Sequence, residues 1–182
     1  MSNLFDCCRK GSSMRVFIGI KPDKKALLFI QKIMKAVQLQ GITGNYTEIN
    51  NVHLTLLFLG EVTDYAPIKS VMDAINHQKF SICVKKVLRF KDMIILEIEQ
   101  TKELIELQEK LLFALAKQGY KVEKRSFYPH ITLIREVKED IEINTNICSE
   151  VKSYELYASQ RRSGKINYSV VYKKMLGCED CG

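Results

Sequence analysis

The chain has 182 residues, 46% hydrophobic and 27% charged, the ordinary balance of one globular domain or of two fused half-domains sharing a core. Lysine plus arginine number 28 against 21 aspartate plus glutamate, a net +7 that favours a polyanionic partner, nucleic acid first. No apolar run approaches the roughly 20 residues of a membrane span, and Met1-Ser-Asn-Leu-Phe-Asp-Cys-Cys offers no apolar signal core, so neither a membrane-spanning helix nor secretion by a standard signal is expected and a cytoplasmic monomer is the expectation.

Val16 to Ile20 reads as a buried strand, ended by Lys21-Pro22-Asp23. Asp23 is a candidate N-cap for a helix whose apolar face is Leu27, Ile30, Met34 and Val37, closed by Gly41 and Gly44. Val52 to Leu59 is the next strand, ended by Gly60; a helix over Tyr65 to Asn76 follows, with Pro67 in its first turn and Ile68, Val71, Met72 and Ile75 on one face. Phe80 to Leu88 and Met93 to Glu99 form a hairpin, with alternation in Ile94, Leu96 and Ile98. Thr101 caps a third helix with the stripe Leu104, Leu107, Leu111, Leu115, stopped by Gly119. His130 to Val137, Val151 to Ser159 and Ile166 to Met175 are strands, the last two joined by a basic loop, Gln160 to Lys165. Helices interleaved with hairpin-paired strands predict an α+β fold, antiparallel in its pairing, with helices on the outer faces.

The six cysteines, Cys7, Cys8, Cys83, Cys148, Cys178 and Cys181, fit free thiols in a reducing compartment better than a disulfide scaffold, which a core of this size does not need. Cys178-Glu-Asp-Cys181 has CxxC spacing without the βαβ context of a redox motif; a zinc site shared with Cys7 and Cys8 is the weaker reading.

Two strands share one pattern: His53-Leu-Thr-Leu56 and His130-Ile-Thr-Leu133. Each follows an apolar strand and an amphipathic helix, as a duplicated unit would. Residues two apart on a strand share a face. His53 therefore groups with Thr55, and His130 with Thr132, while Leu54, Leu56 and Phe58, like Ile131 and Leu133, turn to the core. Two such lobes side by side line one cleft with two histidines and two threonines. Imidazoles accept and donate protons near neutrality, hydroxyls bind non-bridging oxygens, and breaking a P–O bond needs one base and one acid. No carboxylate cluster adjoins the histidines, so no metal or other cofactor is called for. The third histidine, His77, reads as surface decoration or a helix-end dipole partner.

Asn51-Val-His-Leu-Thr-Leu-Leu-Phe-Leu-Gly60 and Arg125-Ser-Phe-Tyr-Pro-His-Ile-Thr-Leu-Ile-Arg135 resemble the paired signatures of the RNA 2′,3′-cyclic phosphodiesterases, once called 2′-5′ RNA ligases, of the two-histidine (2H) phosphoesterase superfamily. Met14 to Ile20 resembles that family's opening strand, and Tyr154 to Tyr172 its closing hairpin. The resemblance implies a two-lobed 2H phosphoesterase-like fold around a central cleft and hydrolysis of RNA 2′,3′-cyclic phosphate ends to 2′-phosphates. In it His53 is the general acid, His130 the general base, and Thr55 and Thr132 hold the phosphate. Arg135 matches a family arginine, but it lies five residues after His130, so a regular strand sends it to the wrong face unless a twist, a bulge or a strand end intervenes. Arg125 is the alternative. Lys124, Arg161, Arg162 and Lys165 supply further positive charge, and of Phe127 and Tyr128 one is expected to stack on a base and the other to pack in the core. Residues 1–13 read as a disordered or added lead with Met14 as an alternative start, 14–176 as one domain of two related lobes, and 177–182 as a tail. The competing functions are RNA joining or another 2H activity, such as cleavage of 2′-5′-linked oligonucleotides or of an ADP-ribose cyclic phosphate, and a non-catalytic RNA-end-binding module.

Overall fold

A computed structural model of the chain describes residues 13–122, 126–162 and 165–177, with no account of the side chains of 162 and 165. Residues 1–12 of the expected leading segment 1–13, Arg125, Lys124, the tail after Gly177 and the cysteines Cys7, Cys8, Cys178 and Cys181 lie outside the described residues.

The strands are β1 (Met14–Ile20), β2 (Asn45–Tyr46), β3 (Leu54–Val62), β4 (Phe80–Phe90), β5 (Met93–Ile98), β6 (His130–Arg135), β7 (Glu142–Val151), β8 (Ser153–Arg162) and β9 (Lys165–Met175); the helices are α1 (Lys24–Leu39), α2 (Ala66–Ala74) and α3 (Lys102–Lys117). They form one antiparallel sheet in the order β7-β4-β5-β6-β3-β1-β8-β9, with β2 added to β6. The order is that of two lobes. In one, β3 pairs with β1, then β8, then β9; in the other, β6 pairs with β5, then β4, then β7. β1–α1–β3 and β5–α3–β6 are the same strand–helix–strand unit, as the repeated motif predicts. The lobes meet at one rung, Leu54 opposite Ile131.

One face of the sheet packs against the helices. The α3 stripe Leu104, Leu107, Leu111 and Leu115 is fully buried, each leucine contributing about 1.5–3 kcal/mol by leaving water. Ile30, Met34 and Val37 do the same on α1, and Ile68, Val71 and Met72 on α2. Both expected caps form: Asp23 accepts from Ala26 N–H at 2.8 Å and Thr101 from Leu104 N–H at 3.3 Å. Asp23 also reaches β7 of the other lobe, its own N–H donating to Ser149 Oγ at 2.8 Å and its carboxylate accepting from Glu150 N–H at 3.2 Å. One aspartate thus caps a helix and ties it across the sheet. Burial raises its pKa, but these hydrogen bonds outweigh it and hold the carboxyl below the usual range.

Three expectations are corrected. β3 does not stop at Gly60; it runs on to Val62, with Gly60 at φ +73° absorbing a bulge at Leu59. β7 is a full strand that the sequence reading missed, because its exposed positions are polar and it borders solvent as the edge of the sheet. Cys83 and Cys148 are not free thiols. They face each other directly on β4 and β7 and are joined as a disulfide, Cα atoms 4.0 Å apart. Without β7 there was nothing in the sequence to bring them together. No helix among the described residues is long and apolar enough to cross a membrane. Thiol alkylation of the denatured protein should label at least two more cysteines after reduction than before, and Cys83→Ser should lower that difference by two; equal labelling with and without reductant contradicts the bond.

Candidate active site

The face opposite the helices is concave, and the site lies on it at the seam between the lobes. β3 and β6 are antiparallel there. Extended one residue either way from the Leu54–Ile131 rung, the register sets His53 beside Thr132 and Thr55 beside His130. A cleft of about 540 Å³ is lined by His53, Thr55, His130, Thr132 and Arg135, with Phe58, Met93, Arg161, Ile166 and Tyr168 around them and the segment Asn45 to Glu48 and Asn51 as a wall. All the expected site residues that are described are brought together. His77 is not among them; its Nδ1 lies 2.9 Å from the Gln78 carbonyl and its ring packs edge-on against Phe80.

Each histidine is held the same way. His53 Nδ1 lies 2.6 Å from the carbonyl oxygen of Asn51, and His130 Nδ1 lies 2.8 Å from that of Tyr128. A carbonyl can only accept, so Nδ1 carries the proton in both rings and Nε2 is left outside that hydrogen bond. In both cases the acceptor stands two residues upstream, so the mount is encoded within the motif.

Arg135 reaches the cleft through a bulge. Ile95 pairs with Thr132 but Ile94 pairs with Ile134, so Leu133 is an extra residue on β6. Leu133 and Ile134 both go to the core, and the alternation resumes with Arg135 on the concave side. The same bulge occurs in β3: Gly19 pairs with Thr55 and Ile18 with Leu57, leaving Leu56 as the extra residue. Phe58 is therefore corrected from the core to the cleft, where it stands 58% exposed. It is the duplicate of Arg135, five residues after its histidine. Aligning the two motifs was the signal that could have found it.

His53 is the more deeply set ring. It packs on Phe17 at 4.6 Å and edge-on against Tyr168 at 5.1 Å, with Tyr157 behind, stacked on Phe17. Gly19 lies beneath it; a Cβ there would sit 2.8 Å from the Leu54 carbonyl oxygen and 3.5 Å from the imidazole. Its mount, the 3-10 turn Ile49–Asn51, is clamped from two sides. The Lys21 ammonium donates to the carbonyls of Ile49 and Asn50 at 3.2 and 2.5 Å. The Asn51 side chain donates to the Ile166 carbonyl at 2.8 Å and accepts from Tyr168 N–H at 3.3 Å, as a neighbouring strand would. Burial lowers the Lys21 pKa, opposed by the buried carboxylate of Glu155, which also accepts from the hydroxyls of Ser153 and Tyr157. Burial pushes the His53 imidazole down to about 4; the Asn51 carbonyl opposes this, and positive charge on Lys21, Arg135 and His130 adds to the drop.

His130 is half-buried and flanked by Tyr128 and Phe90. The Tyr128 hydroxyl donates to Glu97 at 2.9 Å, and burial together with that carboxylate raises its pKa to about 12. Phe127 packs against the hydrophobic core. Among the described residues no group of three or more His, Cys, Asp or Glu is arranged to hold a metal ion.

The family model for the 2′-5′ RNA ligase superfamily matches residues 22–161. The chain belongs to that superfamily. Within it, the chain is 34% identical over 136 residues to the RNA 2′,3′-cyclic phosphodiesterase of Thermotoga maritima, covering 67% of this chain and 70% of that one. It is 26% identical over 169 residues to the protein of the same name from Archaeoglobus fulgidus, covering 88% and 94%. The apo structure of Escherichia coli LigT matches at a TM-score of 0.79 and 24% identity, over 91% of this chain and 99% of that one; the same protein with 3′-AMP matches at 0.77 and 25%. The fold is of the 2H phosphoesterase type, as the resemblance implied.

The depressed pKa of His53 has a thermodynamic consequence. An unfolded histidine titrates near 6.5, the folded one near 4, so between these values the unfolded chain binds a proton that the folded one refuses. The stability tied to neutral His53 is complete above pH 6.5 and is lost progressively as pH falls to about 4, on the order of 3 kcal/mol. Urea midpoints should fall across that window and fall less in His53→Asn; identical pH dependence in the two proteins contradicts the depressed value.

Proposed function

We propose that this protein hydrolyses RNA 2′,3′-cyclic phosphate ends to 2′-phosphates, with His53 and His130 as its acid–base pair and no metal in the reaction. The observation that carries the reading is the matched pair of imidazoles, each with Nδ1 tied to a backbone carbonyl, lining one cleft with two threonines and an arginine. The names of the curated relatives support the substrate class.

In this scheme the cyclic phosphate sits on Thr55 and Thr132, whose hydroxyls donate to its non-bridging oxygens, with Arg135 balancing their charge. His130 Nε2 takes a proton from water as the water oxygen bonds to phosphorus. The P–O3′ bond breaks, and His53 Nε2–H gives its proton to O3′, leaving a 3′-hydroxyl and a 2′-phosphate. If the 5′-hydroxyl of a second strand replaces water, the same geometry joins RNA through a 2′-5′ linkage. Phe58, at the position equivalent to Arg135 in the other lobe, offers an aromatic face to the base of the terminal nucleotide.

One observation favours exchanged roles. In the unliganded cleft His53 is neutral at pH 7, because burial depresses it, and a neutral imidazole is a base. For His53 to be the acid, the anionic phosphodiester must restore its proton on binding. The two singly protonated forms of the pair carry equal numbers of protons, so a bell-shaped profile reports the pair and not the assignment.

Turnover of 2′,3′-cyclic nucleotides and of cyclic-phosphate-ended RNA should persist in EDTA and fall roughly 10²- to 10⁴-fold in His53→Ala and in His130→Ala. Binding without turnover, surviving either substitution, points instead to a non-catalytic RNA-end-binding module. An activated p-nitrophenyl phosphodiester, whose leaving group needs no proton, separates the roles: the variant lacking the acid keeps its activity on it and the variant lacking the base does not. The acidic limb of kcat/KM should extend down to about pH 4, where the buried His53 becomes protonated; a limb near 6.5 contradicts the buried setting of His53.

A further inference from the structure

Four arginines have described side chains: Arg15, Arg89, Arg135 and Arg161. The two on the outside are ion-paired, Arg15 with Glu61 at 3.7 Å and Arg89 with Asp140 at 3.0 Å. The two that line the cleft are not. Arg135 donates to the sulfur of Met93, and Arg161 has no ion pair among the described residues while standing exposed on the cleft wall. A guanidinium left without a carboxylate in a substrate cleft is a place for an anion, and the cyclic phosphate accounts for one of them.

The position of the second is fixed by register. On β8, Tyr157, Ser159 and Arg161 alternate onto the concave face. Their partners on β9 are Val170, Tyr168 and Ile166. Tyr168 touches His53, so the Ser159–Tyr168 rung adjoins the scissile phosphate. The Arg161–Ile166 rung is the next one along the same face, about 6.6 Å further at the strand rise, a step of the order of one nucleotide. Ile166, 43% exposed, and Phe58 give this stretch apolar surface beside the charge.

We propose that Arg161 forms a second phosphate subsite, binding the phosphate on the 5′ side of the nucleoside that carries the cyclic phosphate. The inference rests on the cyclic phosphodiesterase reading. Two sources present that chemistry: the next internucleotide phosphate of an RNA strand, and the 5′-phosphate of a mononucleotide. The site therefore selects substrates with two phosphates, one on each side of the terminal ribose, over a bare nucleoside cyclic phosphate.

The test compares kcat/KM for adenosine 2′,3′-cyclic phosphate, its 5′-phosphorylated form, and a dinucleotide ending in a 2′,3′-cyclic phosphate, in the native protein and in Arg161→Gln. The ratio of each two-phosphate substrate to the bare one cancels any loss of folded protein. It should drop about fivefold in Arg161→Gln at low salt, and less as ionic strength rises, because the pair is exposed. Arg161→Lys should keep part of the ratio. The arm that shows the drop identifies the source, strand or mononucleotide. A native protein with no preference for either two-phosphate substrate, or ratios unchanged in Arg161→Gln, overturns the subsite. Failure to turn over any of the three substrates overturns the functional reading instead.

Discussion

The Leu54–Ile131 rung, where two antiparallel strands from different lobes run side by side, is the constraint on which the site depends. Its register alone sets each histidine against the other lobe's threonine. Hydrophobic burial enforces that register from behind: Leu54 and Ile131 are buried in the core, and a slip of one residue would expose them and turn both histidines inward. The same apolar packing that stabilises the sheet therefore positions the polar cleft in front of it.

The bulges at Leu56 and Leu133 are the second device. Each places two consecutive apolar residues in the core and shifts the following side chain onto the cleft face. The lobes diverged at that shifted position: one presents an aromatic ring, Phe58, and the other a cation, Arg135. A cleft built from a duplicated unit thereby becomes chemically two-sided, which suits a nucleotide, since it too has an apolar base and a charged phosphate.

The lobes also differ behind the histidines. His53 hangs from a 3-10 turn that belongs to no strand, and holding it requires Lys21, Asn51 and an aromatic bed of Phe17, Tyr157 and Tyr168. The cost is desolvation, visible as the lowered imidazole pKa. His130 starts a strand directly, and the preceding Pro129 carbonyl accepts from Ile98 N–H at 3.0 Å, so its mount is part of the sheet and needs no separate clamp. Two histidines at equivalent positions of the lobes are thus held in different settings, and only the buried turn of His53 carries that desolvation cost.

By itself the sequence determined the helices, their caps at Asp23 and Thr101, the strands with strong apolar periodicity, and the pair His53-Thr55 and His130-Thr132, because each follows from spacing within a few residues. What depended on neighbours was not legible. β7 reads as polar because only its partner β4 makes it a strand, and with it the pairing of Cys83 and Cys148 stayed hidden. Strict alternation sent Phe58 to the core and counted against Arg135, because a bulge breaks alternation without leaving a mark in composition. Arg161 and Tyr168 came to the cleft, and Lys21 to the turn behind His53, from distant segments through the order of strands, and it is tertiary pairing, not local propensity, that decides which side chains share a face.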